Sequence, residues 1–173
     1  MLPFHKLRQL LVFVFIFAAL QWTWRDQHDS AFERFFIEDV TVRTAVGLVN
    51  TLTPSIKAVA MGTHMTAPGG GINVLNGCEG VEVMFLLLSA MVIAPIPWKV
   101  RIAGAFSGLV YVFFFNQLRL LVMFYTVRTN RELFELLHGI VAPLFLVALT
   151  GLFFAAWLAR FSPHFLDQAA SSK

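Results

Sequence analysis

The sequence predicts an all-α integral membrane bundle of about four transmembrane helices, with an amphipathic helical segment on the outer face. Three observations carry this. The chain has 173 residues, 58% of them hydrophobic, and a mean hydropathy of +0.73, whereas soluble domains are usually less than half apolar. The apolar residues gather in runs of about 17–24, the length that crosses a bilayer core. The runs are bounded by basic residues, tryptophans and prolines rather than by more apolar sequence. The length suits one compact domain of a few helices. The single cysteine excludes an internal disulfide and a cysteine-rich metal site. A net charge of +3, dispersed and without a basic run, gives no footprint for a nucleic acid.

The first run, Leu7 to Leu20, follows Lys6 and Arg8 and precedes Trp22 and Trp24. Basic residues before and tryptophans after fit a helix starting in the cytoplasm and ending in the outer interface. A cleaved signal peptide is the rival reading, but no small-x-small cleavage site follows Ala19. Phe32, Phe35, Phe36, Val40, Val42, Val46 and Val49 then fall on roughly helical spacing with charges between them, an amphipathic helix lying on the membrane or capping the bundle. Thr53-Pro54 ends it, and a short helical piece from Ser55 to Met61 is expected. Thr66 to Gly71 reads as a flexible loop. It lacks the Lys-Ser/Thr of a phosphate-binding loop.

Val81 to Ile96 is the expected second span, closed by Pro95 and Pro97; Ile102 to Tyr125 is the third and Leu136 to Leu158 the fourth. Gly104 and Gly108 give the third span a small-xxx-small face for close helix approach. Four spans put both termini on one side, and Lys6, Arg8, Lys99, Arg101 and Arg160 assign that side to the cytoplasm. The organisation is then an anchor at 1–24, an outer-face amphipathic region with the glycine-rich loop at 25–77, a three-helix catalytic core at 78–160 and a cytoplasmic tail at 161–173.

This topology sets three polar side chains at one depth. Cys78 lies at the outer start of span two. Arg119 follows Ile102 by seventeen residues, about 26 Å of helix at 1.5 Å per residue, so it reaches the outer surface. His138 opens span four. Taken singly, Arg119 can snorkel or pair with Glu79 or Glu82, His138 can be a helix-start residue, and a membrane cysteine can be inert packing. Together they fit nucleophilic catalysis. A thiolate is stabilised beside a cation, a histidine takes its proton and returns it to a leaving amine, and an arginine holds a developing oxyanion. Glu79, next to the thiol, raises its pKa. Glu79 or Glu82 is expected to pair with Arg119 or another basic group, or to orient His138.

These residues resemble the exosortase/archaeosortase family, membrane cysteine transpeptidases of the outer face of the cytoplasmic membrane. The resemblance rests on Cys78-Glu79-Gly80, on Asn116-Gln117-Leu118-Arg119 and on His138, and covers about half the chain. The small size resembles the short exosortase H type. Glu79 departs from the small or neutral residue usual after the cysteine. The resemblance implies catalytic Cys78, Arg119 and His138 with Asn116, Glu79 and Glu82 in support, no metal and no cofactor. It implies secreted substrates with a C-terminal sorting signal (a short motif, a hydrophobic helix and a basic tail), cleaved through a thioester on Cys78 and passed to an acceptor. The location implied is the bacterial inner membrane, with the site on its periplasmic face.

The competing reading is a non-enzymatic transporter or assembly factor, with Arg119 and Glu82 lining a polar path. A cytochrome needs facing axial ligands within the membrane, and His5, His28, His64 and His164 all lie outside the spans. Leu75-Asn76-Gly77-Cys78 has the form of a lipid-attachment box, but the apolar run follows it instead of preceding it. No His-Glu-x-x-His is present for a zinc protease.

Overall fold

The computed structural model describes residues 4–75 and 77–162; the expected tail at 161–173 lies outside them from residue 163 on. Helix α1 spans Phe4–Asp26. Helix α2 runs in three stretches, Ala31–Arg34, a π-helical Phe35–Val42 and Arg43–Leu52. Three short strands follow, β1 (Val59–Met61), β2 (His64–Ala67) and β3 (Gly70–Asn73). Then come α3 (Val81–Ile93), α4 (Trp98–Thr129) and α5, which is continuous over Arg131–Phe161.

Helices α1, α4 and α5 are long and apolar enough to cross a membrane. The protein is a helical membrane protein with outward apolar surface such as Leu11, Phe15, Phe106, Leu144 and Leu152. The expected second span is shorter than Val81 to Ile96. Helix α3 has 13 residues, about 20 Å against a hydrocarbon core of about 30 Å. Pro95 stops it, holding Ala94 extended at φ −61°, ψ 136°. Arg101 Nη2 donates to the Ala94 carbonyl at 2.7 Å and closes that end.

Helix α4 is the opposite case. Its 32 residues make about 48 Å, more than a membrane core requires. Two separate cores form along it. Near its start, Val112 packs with Met84, Leu87 and Met91 of α3 and with Phe153, Phe154 and Trp157 of α5. Toward its end, Leu120, Leu121, Met123 and Phe124 pack with Val42, Val46 and Val49 of α2 and with Met65 and Ile72 of the sheet. Asn116 and Arg119 lie between the two.

Gly104 and Gly108 serve packing within the chain. A Cβ on Gly104 would stand 2.5 Å from Trp157 Nε1, and one on Gly108 would strike Leu87 and Phe153. Gly104→Leu is expected to overpack the α4–α5 contact by about 1–3 kcal/mol, seen as a fall of several degrees in Tm in detergent.

The region before the cysteine corrects three expectations. The helical piece at Ser55 to Met61 is a single 3₁₀ turn, Pro54–Ile56, followed by a strand. The loop at Thr66 to Gly71 is a β-hairpin in an antiparallel sheet of order β1-β2-β3. Its turn is Pro68-Gly69, where proline presets one φ and Gly69 supplies φ +91°. In α2 the proposed apolar face is not continuous. Phe32 and Phe35 are exposed while Val42, Val46 and Val49 are buried. The π stretch, with Thr41 Oγ1 donating to the Phe36 carbonyl at 2.9 Å, rotates one half against the other.

Candidate active site

Cys78 stands on a turn, its N–H donating to the Leu75 carbonyl at 2.9 Å. The turn ends at Gly80, whose left-handed φ of +82° opens α3. Only a glycine takes that conformation without strain, and a Cβ there would lie 2.9 Å from Asn116 Cγ. The missing side chain lets α4 approach the turn. Asn116 Nδ2 donates to the Cys78 carbonyl at 3.1 Å, and Arg119 Nη1 to the Gly77 carbonyl at 3.3 Å. Two residues one turn apart on α4 therefore hold the cysteine turn by its backbone. Gly80→Ala is expected to lower Tm more than Gly77→Ala. Both positions have positive φ, but a methyl on Gly77 meets nothing within 4 Å; the left-handed strain alone costs about 1–3 kcal/mol.

Arg119 also reaches the sulfur, with Nη2 at 3.8 Å from Cys78 Sγ. On the other side, His138 Nδ1 lies 3.9 Å from Sγ, its ring stacked on Phe134 with centroids 5.4 Å apart. The three side chains meet around one atom. His138 does not open its helix. Asn130 caps α5, accepting from the Leu133 N–H at 3.0 Å, so His138 is seven residues inside. It stands in a π-helical stretch, Leu137–Val141. Pro143 has no N–H for the Gly139 carbonyl, and the helix widens where that bond is missing.

The glutamates are not where the sequence reading set them. Among the described residues neither forms an ion pair with Arg119, and neither hydrogen-bonds His138. Glu82 is exposed. Glu79 is buried, and both its carboxylate oxygens lack a hydrogen bond of ordinary geometry, as does Trp24 Nε1. The indole of Trp24 and the N–H groups of Glu79 and Gly77 lie close enough to ease the charge, but burial dominates and pushes the Glu79 carboxyl up. Burial of a carboxyl in this way disfavours its charged form. Burial likewise pushes the Cys78 thiol up; Arg119 pulls it down, and Glu79 and Glu82 add to the rise. The thiolate is the attacking form, so a thiol raised in this way calls for a proton acceptor at Sγ.

A cavity of about 180 Å³ opens onto the sulfur, lined by Cys78, Arg119 and His138 together with Gly71, Ile72, Asn73 and Phe134. Arg119 also borders a larger apolar groove of about 710 Å³ between α4 and α5, lined by residues such as Leu118, Val122, Val141 and Phe145. Sequence reasoning missed the Gly77 carbonyl and the edge of β3 as parts of the site, because backbone groups carry no residue signature. The one described group with metal-ligand spacing is His28, Asp29 and Glu33 at the α1–α2 turn. Its contacts are those of a helix cap. Ser30 Oγ accepts from the Glu33 N–H at 3.1 Å, and Glu33 Oε2 reaches back to the Asp29 N–H at 2.6 Å.

Comparison with curated proteins and with solved structures finds no match. A family model described as transmembrane exosortase (Exosortase_EpsH) matches residues 3–155. That span takes in α1, α2 and the sheet, and contains Cys78, Asn116, Arg119 and His138. Matched over most of its length, the chain belongs to the transmembrane exosortase family.

Proposed function

We propose that this protein is a membrane-embedded cysteine transpeptidase or protease that cleaves C-terminal sorting signals of secreted proteins. The observation that carries this is the placement of Arg119 Nη2 and His138 Nδ1 at 3.8 and 3.9 Å from one thiol. His138 takes the Cys78 proton at Nδ1, which requires the tautomer protonated at Nε2. Sγ attacks the scissile carbonyl carbon, and the resulting oxyanion forms beside Arg119. The intermediate collapses, the C–N bond breaks, and His138 gives its proton to the leaving amine. The thioester left on Cys78 passes its acyl group to an acceptor nucleophile, and the thiol is restored. With water as acceptor the same steps make a protease. Asn116 positions the nucleophile through the Cys78 carbonyl; Glu79 and Glu82 act outside the reacting atoms.

The apolar groove beside Arg119 suits the hydrophobic helix of a sorting signal, and the cavity at Cys78 suits the motif preceding it. The location we propose is the bacterial inner membrane, with the thiol on the periplasmic face. Lys99 and Arg101 at the start of α4 and Arg160 at the end of α5 support this orientation, since basic residues favour the cytoplasmic end. Residues 1–24 are then the anchor, 25–77 the outer cap, and 78–160 the catalytic core. The test is processing of a secreted protein with a sorting signal in cells carrying wild-type protein or the Cys78→Ala variant. Undiminished processing by that variant, at equal abundance, would falsify the thiol mechanism.

A further inference from the structure

The hairpin beside the thiol leaves one sheet edge without a strand partner among the described residues, and its backbone groups can be counted. Among the described residues strand β3 pairs only with β2, through Ala67↔Gly70, Thr66↔Gly71, Met65↔Ile72 and His64↔Asn73. The Val74 N–H donates to the Thr63 carbonyl at 2.9 Å, which fixes the phase of the ladder. Hydrogen-bonded pairs alternate with non-bonded ones in an antiparallel ladder. Gly70, Ile72 and Val74 therefore face their partners, while Gly71 and Asn73 turn their N–H and C=O groups away from β2. Among the described residues these outward groups have no backbone partner. Ile72 is buried against α4, so the edge is held in place, and Arg128 Nη1 fixes the hairpin tip through the Gly70 carbonyl at 3.3 Å. Gly71, Ile72 and Asn73 line the same cavity as Cys78, Arg119 and His138.

We infer that the outer edge of β3 binds the extended segment of the substrate as an added antiparallel or parallel strand, presenting its scissile carbonyl to Cys78. This rests on the proposed cleavage of a peptide and names how that peptide is held. Strand addition takes affinity from main-chain hydrogen bonds and needs little from side chains, and Gly70 and Gly71 place no side chain in the way. The cavity makes the occupant a peptide bound for the thiol, since an edge partner there lies against the three reacting side chains.

The test uses the peptide flanking the cleavage site of a protein that wild-type cells process. Its amides are methylated one at a time, and binding is measured to full-length Cys78→Ala protein in a bilayer, so that no turnover is needed. Affinity is expected to fall about tenfold at every second amide and little between. Uniform sensitivity, or none, overturns edge pairing. On the protein side, Asn73→Pro removes the outward N–H and spares the β2 ladder, whereas any side chain on Gly71 would strike the Met65 carbonyl. The variant is expected to raise KM about tenfold while Cys78 is alkylated at the wild-type rate, which shows the turn intact. An unchanged KM overturns the inference. Failure of the thiol mechanism shows separately, as processing that survives Cys78→Ala.

Discussion

Cys78→Ala is expected to abolish processing, with a loss of about 10⁴-fold or more. The sulfur forms the only covalent bond to the substrate in the proposed scheme, and removal of a nucleophile acting in a unit removes the contribution of its partners too. The substitution should leave the fold intact. Cys78 is only half-buried, and its turn is held by backbone bonds from Asn116 and Arg119 that alanine retains. The measurement is the ratio of precursor to processed protein, normalised to the amount of variant in the membrane. A non-enzymatic polar path along Arg119 and Glu82 predicts unchanged function. A membrane-impermeant maleimide applied from each side gives the sidedness: wild-type protein should be labelled from outside, and labelling only from the cytoplasmic side defeats the proposed topology.

How much of this was legible in the sequence follows from what each feature leaves in residue types. Long apolar helices write themselves as runs, and α1, α4 and α5 are readable for that reason. Strands of three or four residues leave no periodicity, so β1 to β3 were read as helix and loop. Cys78, Arg119 and His138 are legible from their common depth, because ionisable groups in apolar runs are costly and therefore informative. The helix position of His138 is not, because the Asn130 cap lies in a polar stretch that reads as a loop. Glu79 was misread for a physical reason. Glu79 follows Cys78 directly, but consecutive residues on a turn diverge, and its side chain runs toward Trp24 of α1 rather than to Arg119. No spacing within one helix contains that contact.

Arg119 carries the second large effect, and two substitutions separate its functions. Arg119→Ala removes the cation near the sulfur, the hydrogen bond to the Gly77 carbonyl and the group beside the developing oxyanion. Loss of an oxyanion donor costs about 10²–10³ in kcat, and that is the minimum expected for processing. The thiol reports the electrostatic part without substrate. Arg119 lowers the Cys78 pKa against the burial that raises it, so removing it moves the titration further up. Alkylation of Cys78 rises with pH as thiolate forms; in Arg119→Ala that rise should begin at higher pH, and the rate at pH 8 should fall below wild type. Arg119→Lys keeps the charge but replaces a planar fork by a single point. Its alkylation profile should stay nearer to wild type than that of Arg119→Ala. Its processing should still be strongly impaired, because one ammonium cannot serve Gly77 and the oxyanion in the geometry of two guanidinium nitrogens. If the lysine variant processes at the wild-type rate, Arg119 acts only as a charge, and the oxyanion contact must be assigned to another donor.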